Sequence, residues 1–179
     1  MKKLCVFCGS ADGFSPAYLE MAKQLGKTMA QNNIALVYGG ASIGVMGAIA
    51  DSVLAHGGAV IGVIPKTLVD YEIAHAGLTE LHITEDMHQR KKIMYDRSDA
   101  FLSLPGGMGT LDEMFEILTW SQLKIHSKPC FIYNFQGFYD SLLAYLGHSH
   151  KEGFIKSQHL SLLEEIKDEA ALLGMLNGL

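Results

Sequence analysis

Short apolar runs alternate with longer amphipathic stretches over most of the chain, and this alternation is the strongest constraint on its fold. The runs cover residues 4–8, 34–37, 60–64, 81–83, 100–104 and 130–133. Apolar runs of strand length separated by helix-length stretches are typical of βαβ units around a parallel sheet. The sequence therefore predicts an α/β fold with three layers, in which a parallel sheet carries helices on both faces.

Length and charge restrict the classes of function. The chain has 179 residues, which suits a single domain over residues 1–179, because domains commonly have about 100 to 200 residues. Its formal net charge of −5 is opposite in sign to the basic surfaces that bind a nucleic-acid backbone. We therefore expect no nucleic-acid partner.

The apolar runs are also too short for membrane segments. None approaches the roughly 20 residues of a membrane span. The first run, at residues 4–8, is shorter than the about 7 to 15 apolar residues of a secretory signal and fits a buried strand better. These features predict a cytoplasmic protein with no membrane partner.

The cysteine and histidine patterns predict no metal. Cys5 and Cys8 have C-x-x-C spacing, but side chains three positions apart on a strand point to opposite faces, so these thiols should not share a metal. The eight histidines show no H-E-x-x-H or similar ligand spacing. We interpret the cysteines as buried thiols.

A glycine-rich segment follows the apolar run at residues 100–104. Residues 105–113 read PGGMGTLDE. Residues without a Cβ atom allow a sharp turn that brings backbone N–H groups close to an anion. The helix that should begin at Thr110 has unpaired N–H groups and the positive end of its macrodipole at its start. This pattern predicts a phosphate site, and its glycines are Gly106, Gly107 and Gly109.

The same segment has a plainer interpretation. Thr110 and Glu113 have the spacing of a capping box, in which the two residues exchange hydrogen bonds at a helix start. A second glycine-rich turn at residues 38–47 favours the phosphate site, because loops after parallel strands meet at the carboxyl edge of the sheet. That second turn lacks both the G-x-G-x-x-G dinucleotide fingerprint and the P-loop motif, which argues against a dehydrogenase and an ATPase.

Two charged side chains could act on a phosphorylated ligand. Arg90 lies near the start of a helix that Asp86 should cap, and a guanidinium binds phosphate or carboxylate well. The alternative is a solvated charged face, which we accept for Lys92. Glu113 would lie near the ribose of a bound nucleotide, where a carboxylate can stabilise positive charge at C1′. This chemistry points to cleavage of an N-glycosidic bond.

Two segments together resemble a family signature. Residues 86–91 read DMHQRK and residues 105–113 read PGGMGTLDE. They resemble the R-K and P-G-G-x-G-T-x-x-E motifs of the Lonely-guy (LOG) family, the cytokinin riboside 5′-monophosphate phosphoribohydrolases once mislabelled lysine decarboxylases. Residues 5–10, 38–40, 60–65 and 120–129 also resemble family segments in the expected order. The resemblance covers nearly the whole chain.

The resemblance implies a modified Rossmann fold, usually a homodimer. Such an enzyme hydrolyses a nucleoside 5′-monophosphate to free base and ribose 5-phosphate without a cofactor. Arg90 and Glu113 match the catalytic pair of the family. The implied substrate contacts, with the phosphate on the glycine motif, are Glu72, Lys91, Gly106, Gly107, Met108, Gly109, Thr110 and Thr119.

Two departures from the family pattern bear on base preference or rate more than on reaction type. Ala41 replaces the third glycine usual after Gly39 and Gly40. Asp112 stands where the family usually has the first glutamate of a Glu-Glu ending, so the ending here is Asp-Glu. The preferred base stays open between adenine and N6-prenylated adenine. The rival hypothesis is a non-catalytic nucleotide or molybdenum-cofactor carrier of similar fold. Lysine decarboxylation is less well supported, because it requires a Schiff-base lysine for pyridoxal phosphate.

Overall fold

Seven strands form one parallel sheet in the order β4-β3-β2-β1-β5-β6-β7 in the computed structural model, which describes residues 1–69 and 73–179. The strands are β1 (Lys2–Phe7), β2 (Ile34–Tyr38), β3 (Val60–Pro65), β4 (Glu80–Thr84), β5 (Ala100–Ser103), β6 (Cys130–Tyr133) and β7 (Leu163–Ile166). The first six match the six apolar runs. The sequence did not predict β7, because this edge strand carries two glutamates and buries mainly Ile166.

Helices follow the strands as the alternation predicts. They are α1 (Ala17–Gln31), α2 (Gly44–Ala55), α3 (Met87–Asp96), α4 (Met108–Gln122), α5 (Asp140–Lys151), α6 (Ser157–Leu160) and α7 (Glu169–Gly178). The predicted cap of α3 is confirmed, since the Asp86 carboxylate accepts a hydrogen bond from the Gln89 amide at 2.8 Å. Among the described residues, no helix has the length and apolar character that crossing a membrane requires.

Two hydrophobic clusters lie on opposite faces of the sheet and confirm the three-layer prediction. Leu25 of α1, Ile49 of α2 and Leu172 of α7 pack in one cluster. Met94 of α3 and Met114 of α4 pack in the other. Each face of the sheet is therefore covered by helices, which explains why the central strands are apolar throughout.

The two cysteines of the C-x-x-C pair also fall into different clusters. Cys8 packs with α1 and α2, whereas Cys5 packs with α3 and α4. This confirms that they point to opposite faces, as the period of a strand requires. Both are free buried thiols, as is Cys130.

The order of strands reverses at β1. The chain proceeds from β1 outward through β2, β3 and β4, and then returns to place β5 on the other side of β1. The segments that leave β1 and β5 consequently lie side by side, and the Gly9 amide donates to the Pro105 carbonyl oxygen at 3.3 Å. In parallel α/β sheets such a switch point, at the carboxyl ends of the strands, is where ligands bind.

Candidate active site

A cavity of about 200 Å³ opens at the switch point between β1 and β5. It brings together the end of β1, the start of α2, the first turn of α3 and the first two turns of α4. Its lining residues are Cys8, Gly9, Ser10, Met46, Met87, Arg90, Gly107, Met108, Gly109, Thr110 and Glu113. Arg90 and Glu113 are thus in one cavity with most of the glycine motif.

The glycine motif presents the start of α4 to this cavity. Gly107 is the N-cap residue in extended conformation (φ −97°, ψ −151°), and no side chain caps the helix. The first helical hydrogen bond in this turn runs from the Leu111 amide to the Gly107 carbonyl at 3.2 Å. The amides of residues 108–110 precede it, so helix geometry leaves them without backbone partners inside α4. The positive end of the macrodipole and these donors favour an anion here.

The helix starts earlier than the sequence analysis expected. It begins at Met108 rather than Thr110, so Thr110 lies inside the first turn and is buried. The expected cap by Thr110 is therefore wrong, and the capping box with Glu113 does not form. Glu113 lies in the second turn of α4, one turn further from the helix start than the motif spacing suggested.

The three glycines of the motif serve different purposes. A Cβ atom at Gly106 would overlap the Thr110 hydroxyl and approach the Gly9 amide nitrogen to 2.8 Å, so Gly106 is required for packing against β1. A Cβ atom at Gly107 or Gly109 would meet no protein atom within 4 Å. At these two positions the missing side chain leaves open space before the helix, where a ligand can approach the backbone.

The glycine turn at residues 38–47 forms the opposite wall. Gly44 has φ +65°, and a Cβ atom there would overlap the backbone of Ser10. The Met46 amide donates to the Gly9 carbonyl at 3.2 Å. Ala41, which departs from the family pattern, is fully buried and pairs with Ala74 in an isolated antiparallel bridge. The substitution therefore lies in backbone packing behind the cavity.

Arg90 is buried and held by several groups. Its Nε donates to the Val63 carbonyl at 3.0 Å, and its Nη1 donates to the Met87 sulfur at 3.7 Å. Its Nη2 lies 3.4 Å from Glu113 Oε1. The side chains of Arg90 and Glu113 are only 6% and 8% exposed. Arg90 thus belongs to the cavity and not to a solvated face.

Cys8 contributes a neutral thiol to the cavity. Burial, followed by the negative charge of Glu113, raises the pKa of the Cys8 thiol well above its ordinary value. A protonated thiol is a weak nucleophile. The charged groups that the described lining offers for chemistry are therefore Arg90 and Glu113.

Two of the remaining predicted contacts, Lys91 and Thr119, are not among the described lining residues of this cavity. The Lys91 ammonium is 2.7 Å from Asp112 Oδ2 and 3.4 Å from Glu116 Oε2. Thr119 donates its hydroxyl hydrogen to the Phe115 carbonyl and borders a separate apolar cavity. Glu72 is outside the described residues. The proposed roles of these three residues in substrate binding stay predictions.

Five lining residues were not among the predicted site residues, and three of them carry sulfur. These three are Cys8, Met46 and Met87, which give the cavity a sulfur-bearing, apolar surface. Met87 precedes Arg90 by three positions, so helical spacing could have placed it on the same side of α3. Met46 could not have been found by spacing, because its position depends on how the 38–47 turn packs against β1.

No group of three or more acidic, cysteine or histidine side chains among the described residues has the arrangement of a metal site. The arrangement that the cavity does show is an anion-binding helix start beside a buried guanidinium and a buried carboxylate. It can bind a phosphorylated ligand at one end and stabilise developing positive charge at the other.

Comparison with known proteins agrees with these motifs. A family model described as a possible lysine decarboxylase matches residues 46–176. A cytokinin riboside 5′-monophosphate phosphoribohydrolase from Rhodococcoides fascians is 46% identical over 168 residues, which are 93% of this chain and 85% of that protein. A protein of the same name from Arabidopsis thaliana is 50% identical over 154 residues, which are 86% of this chain and 72% of that protein.

Solved structures with lower identity share the fold. The molybdenum cofactor binding protein from Rippkaea orientalis has a TM-score of 0.73 and 21% identity, with 99% of this chain and 97% of that chain covered. The Moco carrier protein from Chlamydomonas reinhardtii has a TM-score of 0.72 and 21% identity, with coverage of 99% and 96%. Identity this low shows a common fold and nothing about activity. The much closer sequence relatives, together with the matching family model, show that the chain belongs to the Lonely-guy family of cytokinin riboside 5′-monophosphate phosphoribohydrolases.

Proposed function

We propose that this protein hydrolyses the N-glycosidic bond of a purine nucleoside 5′-monophosphate and releases the free base and ribose 5-phosphate. One observation carries the proposal: the buried Arg90–Glu113 pair shares a cavity with the uncapped start of α4. The names of the relatives from Rhodococcoides fascians and Arabidopsis thaliana support the same reaction.

The 5′-phosphate binds at the start of α4 in this proposal. The amides of residues 108–110 donate to its oxygens, and the open space before Gly107 and Gly109 allows close approach. Gly106 and Thr110 contribute by holding this turn against β1. Phosphate binding is remote from the bond that breaks, so its energy can be used to hold the sugar in the reactive position.

Glu113 acts at the sugar. Cleavage of the bond between C1′ and the base nitrogen develops positive charge on the ribose ring, and a fixed carboxylate stabilises that charge. Water adds its hydroxyl to C1′, while the leaving base takes up a proton. Arg90 fixes the carboxylate through its Nη2, and its further N–H groups can bind the substrate.

Adenine-type bases are the proposed substrates, either AMP or its N6-prenylated form. The thioethers of Met46 and Met87 and the thiol of Cys8 offer polarisable, apolar surface at the cavity. Such surface contacts aromatic rings favourably, which supports a planar purine base. Sulfur contacts do not distinguish adenine from its prenylated derivative.

We also propose that the protein works without a cofactor, as a cytoplasmic homodimer. Its three cysteines are free buried thiols, which suits a reducing compartment. Leu123 and Ile125, which follow α4, are more than half exposed, and exposed apolar side chains can form a contact between copies. Light scattering at micromolar concentration should give the mass of a dimer, and a monomer would exclude this part of the proposal.

Measurement of base release tests the proposed reaction. The purified protein should release adenine from AMP or the prenylated base from isopentenyl-AMP, and GMP and CMP should be poorer substrates. Adenosine should react far more slowly than AMP because it lacks the phosphate that the start of α4 binds. Binding of nucleotides without release of any base would favour the carrier hypothesis.

The cavity gives no support to lysine decarboxylation. None of its described lining residues is a lysine, and a pyridoxal-phosphate enzyme requires a lysine that forms the Schiff base. Incubation with lysine and pyridoxal phosphate should produce no carbon dioxide.

A further inference from the structure

Two adjacent ion pairs connect α3 to α4 beside the cavity. Arg90 and Lys91 are neighbours on α3, and they face Glu113 and Asp112, which are neighbours on α4. Arg90 Nη2 lies 3.4 Å from Glu113 Oε1, and Lys91 Nζ lies 2.7 Å from Asp112 Oδ2. The first pair lines the cavity and the second does not. The R-K pair of the first motif therefore faces the D-E pair that ends the second motif.

Lys91 also compensates a second carboxylate. Its ammonium is 3.4 Å from Glu116 Oε2, one helical turn beyond Asp112. That oxygen is buried and has no hydrogen bond among the residues that the structure describes. The Lys91 side chain is 12% exposed, against 58% for Asp112 and 24% for Glu116. The lysine is thus enclosed between α3 and the two carboxylates of α4.

The lysine stays charged in this environment. Burial alone lowers its pKa, but the hydrogen bond with Asp112 and the negative charges of Glu116 and Asp112 outweigh that effect, and the net pKa is raised. A charged ammonium with two carboxylate partners has little freedom to contact a ligand elsewhere. This geometry differs from the substrate contact that the family resemblance implies.

We propose that Lys91 is a positioning residue that holds Arg90 and Glu113 in register by tying α3 to α4. The proposal rests on the function proposed above. At their far ends the two helices contact through the rings of Tyr95 and Trp120, whose centroids are 5.2 Å apart. Next to the cavity, Lys91 supplies the corresponding connection. A shift of about 1 Å in a reactive group can cost roughly 100-fold in rate, so this connection affects turnover.

Steady-state kinetics with AMP distinguish positioning from substrate contact. Lys91→Met retains most of the side-chain length but removes the charge. The double variant Asp112→Asn/Glu116→Gln removes the partners and leaves Lys91 able to reach a substrate. If Lys91 acts by positioning, both variants should lose about 10-fold or more in kcat while KM changes by less than about 2-fold. Lys91→Arg should restore much of the lost kcat, because arginine can pair with both carboxylates.

Lys92→Met is the matched control. Lys92 is the next residue of α3, and its exposed ion pair is with Asp96 of the same helix, so this pair does not connect α3 to α4. This variant should have the kcat, KM and melting temperature of the parent. Melting curves of every variant show whether the protein is folded. If Lys91→Met does not fold, the kinetics of Asp112→Asn/Glu116→Gln against those of the parent still distinguish positioning from substrate contact.

Other results would overturn the positioning role. A raised KM in Lys91→Met with unchanged kcat, together with a silent carboxylate variant, would make Lys91 a substrate contact. Unchanged kinetics in both variants would show that the ion pairs of Lys91 with Asp112 and Glu116 have no part in turnover. Either result leaves the proposed reaction standing, since the parent releases base. A parent that releases no base from any nucleotide would instead refute the proposed function, and the positioning role with it.

Discussion

Arg90 Nη2 and Glu113 Oε1 lie 3.4 Å apart, and both side chains are more than nine-tenths buried. Burial of two opposite charges costs much of the energy that their attraction returns, so such a pair is weak support for stability. The position of the pair, in a cavity beside the uncapped start of α4, suggests a role in binding or catalysis more than in stability. The pair connects the first turn of α3 to the second turn of α4, and both side chains line the cavity in which we propose the reaction.

Replacement of Glu113 by glutamine should remove activity while the fold persists. The substitution keeps the shape of the side chain but deletes the negative charge proposed to stabilise C1′, a loss that costs on the order of 100-fold or more at preorganised sites. The expected stability loss comes from the buried Arg90 charge that Glu113 no longer neutralises, about 3 kcal/mol or more. Base release from AMP and thermal melting measure the two effects.

A double replacement separates these effects further. Arg90→Met/Glu113→Leu removes both charges, so it should melt closer to the parent than Glu113→Gln does, yet release no base. If Glu113→Gln keeps most of the parent activity, the carboxylate is structural and the proposed mechanism loses its main support.

Gly109→Ala should increase stability and decrease activity. The residue is in the first turn of α4, and a Cβ atom there would meet no protein atom within 4 Å. Alanine is favoured over glycine in a helix by roughly 1 kcal/mol. The same methyl group would project into the space proposed for the phosphate, so KM for AMP should rise by about 10-fold or more.

Gly147 provides the control for this substitution. It lies in α5 and also has open space at the Cβ position, so Gly147→Ala should be at least as stable as the parent with unchanged kinetics. Unchanged KM in Gly109→Ala would place the phosphate elsewhere.

Gly39→Ala should displace Arg90. A Cβ atom at this position would overlap Arg90 Nη2 and lie 2.8 Å from the sulfur of Met46. We expect kcat to fall by about 10-fold or more, because the guanidinium has to move from its contact with Glu113. A double-mutant cycle with Arg90→Ala checks the cause: the destabilisation by Gly39→Ala should be smaller once the guanidinium is absent. An equal destabilisation in both backgrounds would assign it to another contact.

Alkaline pH should destabilise the protein through its buried thiols. Burial raises the pKa of Cys130 from 9.0 to about 12, and the pKa values of Cys5 and Cys8 also rise. The folded state therefore holds these protons after the unfolded state has lost them. For Cys130 the stabilising contribution is complete below the unfolded pKa near 9.0 and is lost as pH rises through the folded pKa of about 12.

Urea unfolding at a series of pH values measures this effect. The free energy of unfolding should fall above about pH 8.5, and the slope should be shallower in Cys130→Ala. A slope that is the same in Cys130→Ala and in the parent would show that other groups cause the decline.

The layers and the candidate residues Arg90 and Glu113 could be found from the sequence because both are marked by local patterns. Buried strands of a parallel sheet are apolar on both faces, so the first six strands could be recognised from their composition alone. The cap at Asp86, which the structure confirms, could be predicted because a helix cap depends on only a few adjacent residues. Motif spacing made Arg90 and Glu113 candidates, the family resemblance paired them, and the structure brings them into one cavity.

Tertiary structure decided the features that depend on residues distant in sequence. The order of strands places Gly9 against Pro105, and no local pattern specifies that pairing. Gly106 packs closely against Gly9, and α4 begins at Met108, so Thr110 is not the N-cap that its spacing to Glu113 suggested. The partners of Lys91 were likewise hidden, because they are on a different helix and meet it only when α3 and α4 pack on the same face of the sheet. Local preference selects an element, but the free energy of burying side chains between elements determines where each element starts and which charges meet.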